Sequence, residues 1–220
     1  MAGSYHGHAE LFDAREVEFN DAGALERELA AHPPACVLLE AAMTSIGLVP
    51  PEPGYLEAVR ALTRAHGALL VLDEVKTGLT IAPGGATERF GATPDAVTLA
   101  KSLGGGLPTG AVGMTAEVAA VVDDGRVRHL GTYNGNPLAM AAARASLEEV
   151  LTGAAYERLE RAGARLEAGL REALGEHGIG AHSVRLGSKG CVTYGAERVT
   201  GSASFERRLD RELAELIWVW

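Results

Sequence analysis

The amino-acid sequence predicts an α/β fold whose mostly parallel sheet is flanked by helices. Short, wholly apolar runs recur at residues 36–39, 68–72, 96–100 and 111–114, and an amphipathic stretch, 53–66, separates the first two. Strands without apolar/polar alternation, joined through a helix, are the pattern of a parallel sheet buried on both faces. An acid and a lysine stand just past two of these runs: Leu72-Asp73-Glu74-Val75 closes one, and Leu99-Ala100-Lys101 closes the next, 28 positions on.

The elements follow in order. Leu56, Val59, Ala61 and Leu62 give the 53–66 stretch an apolar stripe, and Gly67 is suited to end that helix before the second strand. Asn136-Pro137 reads as an N-cap followed by a first-position proline, opening a helix that continues through Leu138, Ala142, Ala145 and Val150. It breaks at Thr152-Gly153, and a long amphipathic helix runs from about residue 156 to 176 with Leu159, Leu166, Leu170 and Leu174 on one side. A weaker strand, 190–194, comes next. A domain change is placed near Gly153, dividing the chain into 1–152 and 153–220. Residues 205–220 form an amphipathic run without a cap, and the opening turn is abrupt, so the chain reads as a fragment cut at both ends.

Composition narrows the function classes. The 220 residues are 47% hydrophobic and 22% charged, enough for a proper core and unlike a disordered chain. A net charge of −9 argues against nucleic acid as a partner. No apolar run nears the length of a membrane span, and the first residues lack the pattern of a signal peptide. Cys36 and Cys191 each stand alone and read as structural thiols rather than a disulfide, which sets the cytoplasm as the expected compartment.

Asp73 and Lys101 are the candidates for chemistry. Ligands of α/β sheets bind beyond the carboxyl ends of strands, and a carboxylate there can pair with a protonated ring nitrogen. A partly desolvated lysine, or one near other positive charge, can form an imine with a carbonyl. Each alone has an ordinary reading: a turn acid, and a strand-end lysine before the flexible Gly104-Gly105-Gly106. Those glycines are not a P-loop, and no Gly-x-Gly-x-x-Gly follows the first strand as a dinucleotide-binding dehydrogenase requires. His6 and His8 alternate, yet no cysteine or carboxylate cluster completes a metal site. Lys76, Arg126 and Arg128 are candidates for a substrate carboxylate, against their ordinary role as solvated charges.

Taken together the motifs are specific. Leu72-Asp73-Glu74-Val75, Thr77-Gly78, Pro94-Asp95 and Ala100-Lys101-Ser102-Leu103-Gly104-Gly105-Gly106-Leu107-Pro108 resemble the signature of class III pyridoxal-phosphate aminotransferases. Gly131-Thr132-Tyr133-Asn134-Gly135-Asn136-Pro137 and Tyr5-His6-Gly7-His8 resemble two further segments of that family, and 84–91 is most similar to its glutamate-1-semialdehyde aminomutase branch. The resemblance covers most of the chain up to about Tyr194. It implies a fold-type I large domain over 1–152, part of a small α+β domain over 153–220, and pyridoxal 5'-phosphate as cofactor. It also implies a homodimer and amino-group movement between small-molecule donors and acceptors.

By matching position, Lys101 would form the imine and move the proton, and Asp73 would pair with the pyridine nitrogen. Val75 would pack one ring face and Tyr5 stack on the other. His6 would help shape the Tyr5 turn, and Thr132 would reach the phosphate of a neighbouring subunit. There are departures. Ser45 stands where the family often has Asn, Thr80 where Arg is frequent, and Ala100 where Gly is common before the lysine. The family's upstream Gly/Ser-Thr-Glu-Ala phosphate helix is absent from this sequence. A catalytically inactive remnant serving at most as a subunit-interaction fragment is therefore the alternative reading.

Overall fold

Register, rather than length, organises the sheet. In a computed structural model, which describes residues 14–195 and 197–207, four strands of four or five residues line up in sequence order. These are β1 (Cys36–Glu40), β2 (Leu69–Asp73), β3 (Ala96–Leu99) and β4 (Ala111–Met114). β1, β2 and β3 run parallel; β4 returns antiparallel, with Leu99 opposite Ala111. Glu40 pairs with Asp73, and Asp73 with Thr98, so three polar side chains stand at one level at or next to the ends of three parallel strands.

Parallel neighbours need a crossover, and helix α2 (Tyr55–Ala65) supplies it between β1 and β2. Tyr55, Leu56, Val59 and Thr63 form its buried stripe. Its end is set as the sequence predicts: after His66, Gly67 adopts φ +68, and the Ala68 amide donates to the Thr63 carbonyl at 2.9 Å. Helix α1 (Ala22–Ala31) packs beside it, adding Leu25 and Leu29. The core gathers these residues with Val37, Leu39, Leu70 and Leu72, so it lies against one face of the sheet. Here the expectation of strands buried on both faces is corrected. Leu38 and Leu69, on the opposite face, are 52% and 39% exposed, because among the described residues the crossover helices cover only the Leu70/Leu72 side. Asp73 alternates with Leu72 and so belongs to the more open face.

An ion pair ties the crossover to the sheet. Arg60 Nη1 and Nη2 donate to the two oxygens of Asp95 at 2.5 and 2.9 Å, and the Leu70 amide donates to Asp95 Oδ2 at 2.7 Å. Helix, second strand and the residue entering the third strand thus meet on one carboxylate. The Arg60 hydrogen bonds hold that carboxyl below its ordinary range.

Helix α3 (Gly85–Phe90) lies between β2 and β3; α4 (Ala116–Asp123) follows the sheet, and α5 (Pro137–Ala145) closes this part. Asn136 Oδ1 accepts the Ala139 amide at 2.9 Å with Pro137 at the first position, the predicted cap. The helix does not continue regularly to Val150: residues Ser146–Val150 widen into a π-helical turn. The widening begins at buried Ser146, which donates its hydroxyl to the Ser102 carbonyl at 3.0 Å. The long helix α6 (Gly153–Glu176) starts on a Thr152 cap, and its leucine side is only partly covered, with Leu166 65% exposed. It packs on a separate hairpin, β5 (Ala181–Leu186) and β6 (Lys189–Tyr194), followed by α7 (Ser202–Glu206). Most of the 205–220 run lies outside the described residues. Cys36 and Cys191 are free thiols; Cys36 is exposed rather than a core thiol, because it occupies the open face at the start of β1.

The Arg60–Asp95 pair makes a test of this architecture. Asp95 titrates lower in the folded chain than unfolded, so its contribution is present above the ordinary carboxylate pKa and lost as pH falls through the depressed value. Urea unfolding of Arg60→Ala is expected to show a loss of about 2–3 kcal/mol near neutral pH, since Asp95 is left charged and half of its partners are gone. The difference from wild type should shrink as the solution is acidified.

Candidate functional site

The three level strand ends floor the candidate site. Asp73 Oδ1 accepts the Val75 amide at 2.9 Å and the Thr98 hydroxyl at 3.2 Å. One donor comes from its own turn and one from the neighbouring strand, so the carboxylate is oriented by two elements. The turn beyond it is held equally closely. The Gly78 amide donates to the Glu74 carbonyl at 2.8 Å, and a Cβ on Gly78 would lie 2.4 Å from Leu99 Cδ2 and 2.7 Å from that carbonyl. Only glycine lets the turn pass the end of β3.

Glu74 points the other way, into the interior. Its Oε2 accepts the Ala86 amide at 2.7 Å and the buried Thr77 hydroxyl at 3.4 Å. Burial raises its carboxyl above the ordinary range, and these two donors only partly offset that. Gly85 sits at φ +60, where a Cβ would meet Glu74 Oε2 at 2.5 Å. Glu74 therefore pins the 81–85 loop to the turn that carries Asp73 and Val75.

Lys101 follows β3 in an unusual backbone state. Its φ is +49, a left-handed conformation that only three non-glycine residues adopt among those described. Such a conformation costs about 1–3 kcal/mol and persists where the surroundings impose it. Here they do: a short 3-10 turn, Lys101–Gly104, buries Leu103 and Gly104, Gly105 closes it at φ +56, and Ser146 grips its Ser102 carbonyl. The fold keeps the turn inside and leaves the Lys101 side chain exposed at the carboxyl edge.

Asp73, Val75 and Lys101 are thus brought to one edge of the sheet. Lys76 joins them, donating from Nζ to Ser45 Oγ at 2.5 Å, and Glu40 accepts the Thr44 hydroxyl beside it. Thr132 is not bonded to this group; it lies in an exposed loop with Leu130 and Tyr133. Arg126 pairs with Asp124 at 3.1 Å in the open, and Arg128 is exposed. Tyr5, His6 and His8 lie outside the described residues. Sequence reasoning missed Thr98, Glu74 and Ser146. Thr98 left one signal, a lone hydroxyl inside an apolar strand; Ser146 left none, because its partner is 44 residues away.

A family model, aminotransferase class III, matches residues 6–195. This chain belongs to that family. The glutamate-1-semialdehyde 2,1-aminomutase of Akkermansia muciniphila is 40% identical to it over 205 residues, covering 92% of this chain and 48% of that protein. Among solved structures, a glutamate-1-semialdehyde aminomutase from Pseudomonas aeruginosa in complex with PMP superposes with a TM-score of 0.81 at 33% identity, covering 90% of this chain and 46% of that one. A β-phenylalanine aminotransferase from Variovorax paradoxus reaches 0.85 at 33% identity, covering 93% and 48%. The sheet and its helices are therefore part of a fold-type I aminotransferase domain, and this class III chain spans about half the length of the proteins it matches.

The buried acid of this class III chain predicts a pH signature. Because Glu74 binds its proton more tightly in the fold, its contribution is full below the ordinary carboxylate pKa and is lost as pH rises through the raised value. In urea titrations from about pH 4 to 7, wild type should lose that share of stability, and Glu74→Gln, which keeps an acceptor for the Ala86 amide, should lose less.

Proposed function

We propose that the protein carrying this chain is a pyridoxal-phosphate-dependent aminotransferase or aminomutase, similar to glutamate-1-semialdehyde aminomutase. It moves an amino group between an amino acid and a carbonyl compound. The observation that carries this reading is the placement of Asp73 and Lys101 at the carboxyl ends of two adjacent parallel strands, the first oriented by Val75 and Thr98 and the second exposed from a left-handed turn. The donor set fits the cofactor: a carboxylate for its ring nitrogen, an amine for its aldehyde carbon, and an aliphatic side chain for its ring face.

When bound, pyridoxal phosphate supplies an electron sink for charge that develops next to a substrate nitrogen. The chain's own residues do the rest. Asp73 would hold a proton on the ring nitrogen, and its donors Val75 and Thr98 would keep it from turning away. Lys101 Nζ would hold the cofactor at its aldehyde carbon and would take and return the substrate proton. Val75 restricts the ring from one side, with Tyr5 assigned to the other and His6 to the Tyr5 turn.

The same reading makes the working unit a homodimer in which Thr132 serves the neighbouring subunit's phosphate. The exposed apolar side chains around that loop, Val127, Leu130, Tyr133 and Leu138, support it, since an apolar patch of this kind suits an interface. The division at residues 152 and 153 belongs to this reading too, supported by the separate two-stranded sheet after α6. No helix among the described residues is long and apolar enough to cross a membrane, and the free thiols of Cys36 and Cys191 suit a reducing cytoplasm.

Borohydride reduction of the full-length protein with pyridoxal phosphate, followed by peptide mapping, should fix the label on Lys101. Lys101→Ala should abolish the label and slow amino transfer by about 10²–10⁴-fold; a label that survives the substitution refutes the assignment. Asp73→Asn should keep the label while slowing transfer on the order of a hundredfold.

A further inference from the structure

The β5–β6 hairpin reaches back to the candidate site, and the contact is specific. The Ser188 amide and hydroxyl both donate to the Thr80 carbonyl, at 3.2 and 2.8 Å. Gly187 sits at φ +60, and a Cβ there would lie 2.6 Å from Ile81 Cα, so the hairpin tip is pressed onto the loop that leaves the Asp73 turn. Thr80 in turn donates to the carbonyls of Lys76 and Thr77. On the far strand the Leu48 amide donates to Cys191 Sγ at 3.1 Å, and Leu186 is buried in the main core. Between these anchors stands Lys189.

Lys189 is half-buried and pairs with core residue Leu186 across the hairpin, and Lys76, Lys101 and Glu40 are the charged groups near enough to act on it. Burial first, then the two neighbouring lysines, holds its ammonium below the ordinary lysine range, and Glu40 opposes them. In a chain of net charge −9, three lysines converge where the strands end, and among the described residues none of the three closes an ion pair within 4.0 Å. Lys101 has its own task in the reading above, and Asp73 is assigned to the ring nitrogen. That leaves a cationic pair, Lys189 from the hairpin and Lys76 from the turn, with Glu40 as the opposing charge beside them.

We propose that Lys189, assisted by Lys76, is the group that binds the carboxylate of the substrate, so that the site selects amino and oxo acids over simple amines. The proposal rests on the aminotransferase reading for its substrate class, and on the docked hairpin for its geometry. A lysine and a carboxylate make a charge-assisted pair, stronger where water is thinned by surrounding protein. The hairpin contributes no reacting atom; it delivers a charge to where Lys101 works. Lys189 is thus a specificity residue supplied by the second sheet.

Two measurements on the full-length protein test this. The first is calorimetric titration of the cofactor-free protein with glutarate, an unreactive dicarboxylate, and separately with inorganic phosphate. Glutarate affinity should fall about tenfold or more in Lys189→Met and in the more isosteric Lys189→Gln, and return in Lys189→Arg. Unchanged glutarate affinity in both neutral variants, or a Lys189 dependence seen for phosphate alone, overturns the proposal. The second is the ratio of kcat/KM for glutamate over that for a simple primary amine, expected to drop about tenfold in Lys189→Met through KM; an unchanged ratio also overturns it. The borohydride label on Lys101, scored on the same samples, separates the two failures. A missing label in wild type defeats the aminotransferase reading, whereas an intact label with Lys189-independent glutarate binding defeats only this one.

Discussion

Parallel pairing at one shared level is the constraint on which the rest depends. If β1 slipped by one residue against β2, Glu40 would leave the end of the row and every core side chain of that strand would change face. The pairing is held because Val37, Leu39, Leu70 and Leu72 must all meet the crossover helix on the same side. Burial of those apolar groups therefore sets where Asp73 stands, although Asp73 contributes nothing to the core. The Arg60–Asp95 pair reinforces the arrangement by fastening helix, second strand and third strand together.

Strain is confined to where that frame can bear it. Lys101 takes a left-handed backbone directly after a regular strand, and the opposing force comes from behind: Leu103 is buried, and Ser146 holds the next carbonyl. The π-helical widening at Ser146–Val150 belongs to the same device, since it accompanies the Ser146 hydroxyl bonded to Ser102. Two irregularities far apart in sequence thus support one exposed amine. Gly78 and Gly85 play the matching role on the Asp73 side, each allowing an approach that a Cβ would forbid.

Local features of this chain were open to reading, and distant ones were not. The apolar runs placed all four strands within a residue of their observed ends, and Asn136-Pro137 and Gly67 announced their helix boundaries, because each signal is carried by neighbours in sequence. The hairpin strand Ala181–Leu186 left no apolar run: His182, Ser183 and Arg185 interrupt it, and Arg185 faces Glu160 and Glu167 of the long helix. The one-sided burial of the sheet was likewise hidden, since an apolar strand looks alike whether one face or both are covered. The motif residues Asp73, Val75 and Lys101 were identifiable by resemblance, while Thr98, Glu74 and Lys189 needed the register, the loop and the hairpin to acquire meaning.

Two departures from the family pattern, Thr80 and Ser45, are tied to the turn after Asp73, and Thr80 also to that hairpin. Thr80, in place of a frequent arginine, turns its carbonyl to Ser188, and Ser45, in place of asparagine, accepts from Lys76. A small side chain at each position leaves room for something else to approach, and what approaches is the hairpin tip with Lys189 behind it. On the proposed reading, Lys189 brings recognition charge from the second sheet to the strand ends that hold Asp73 and present Lys101.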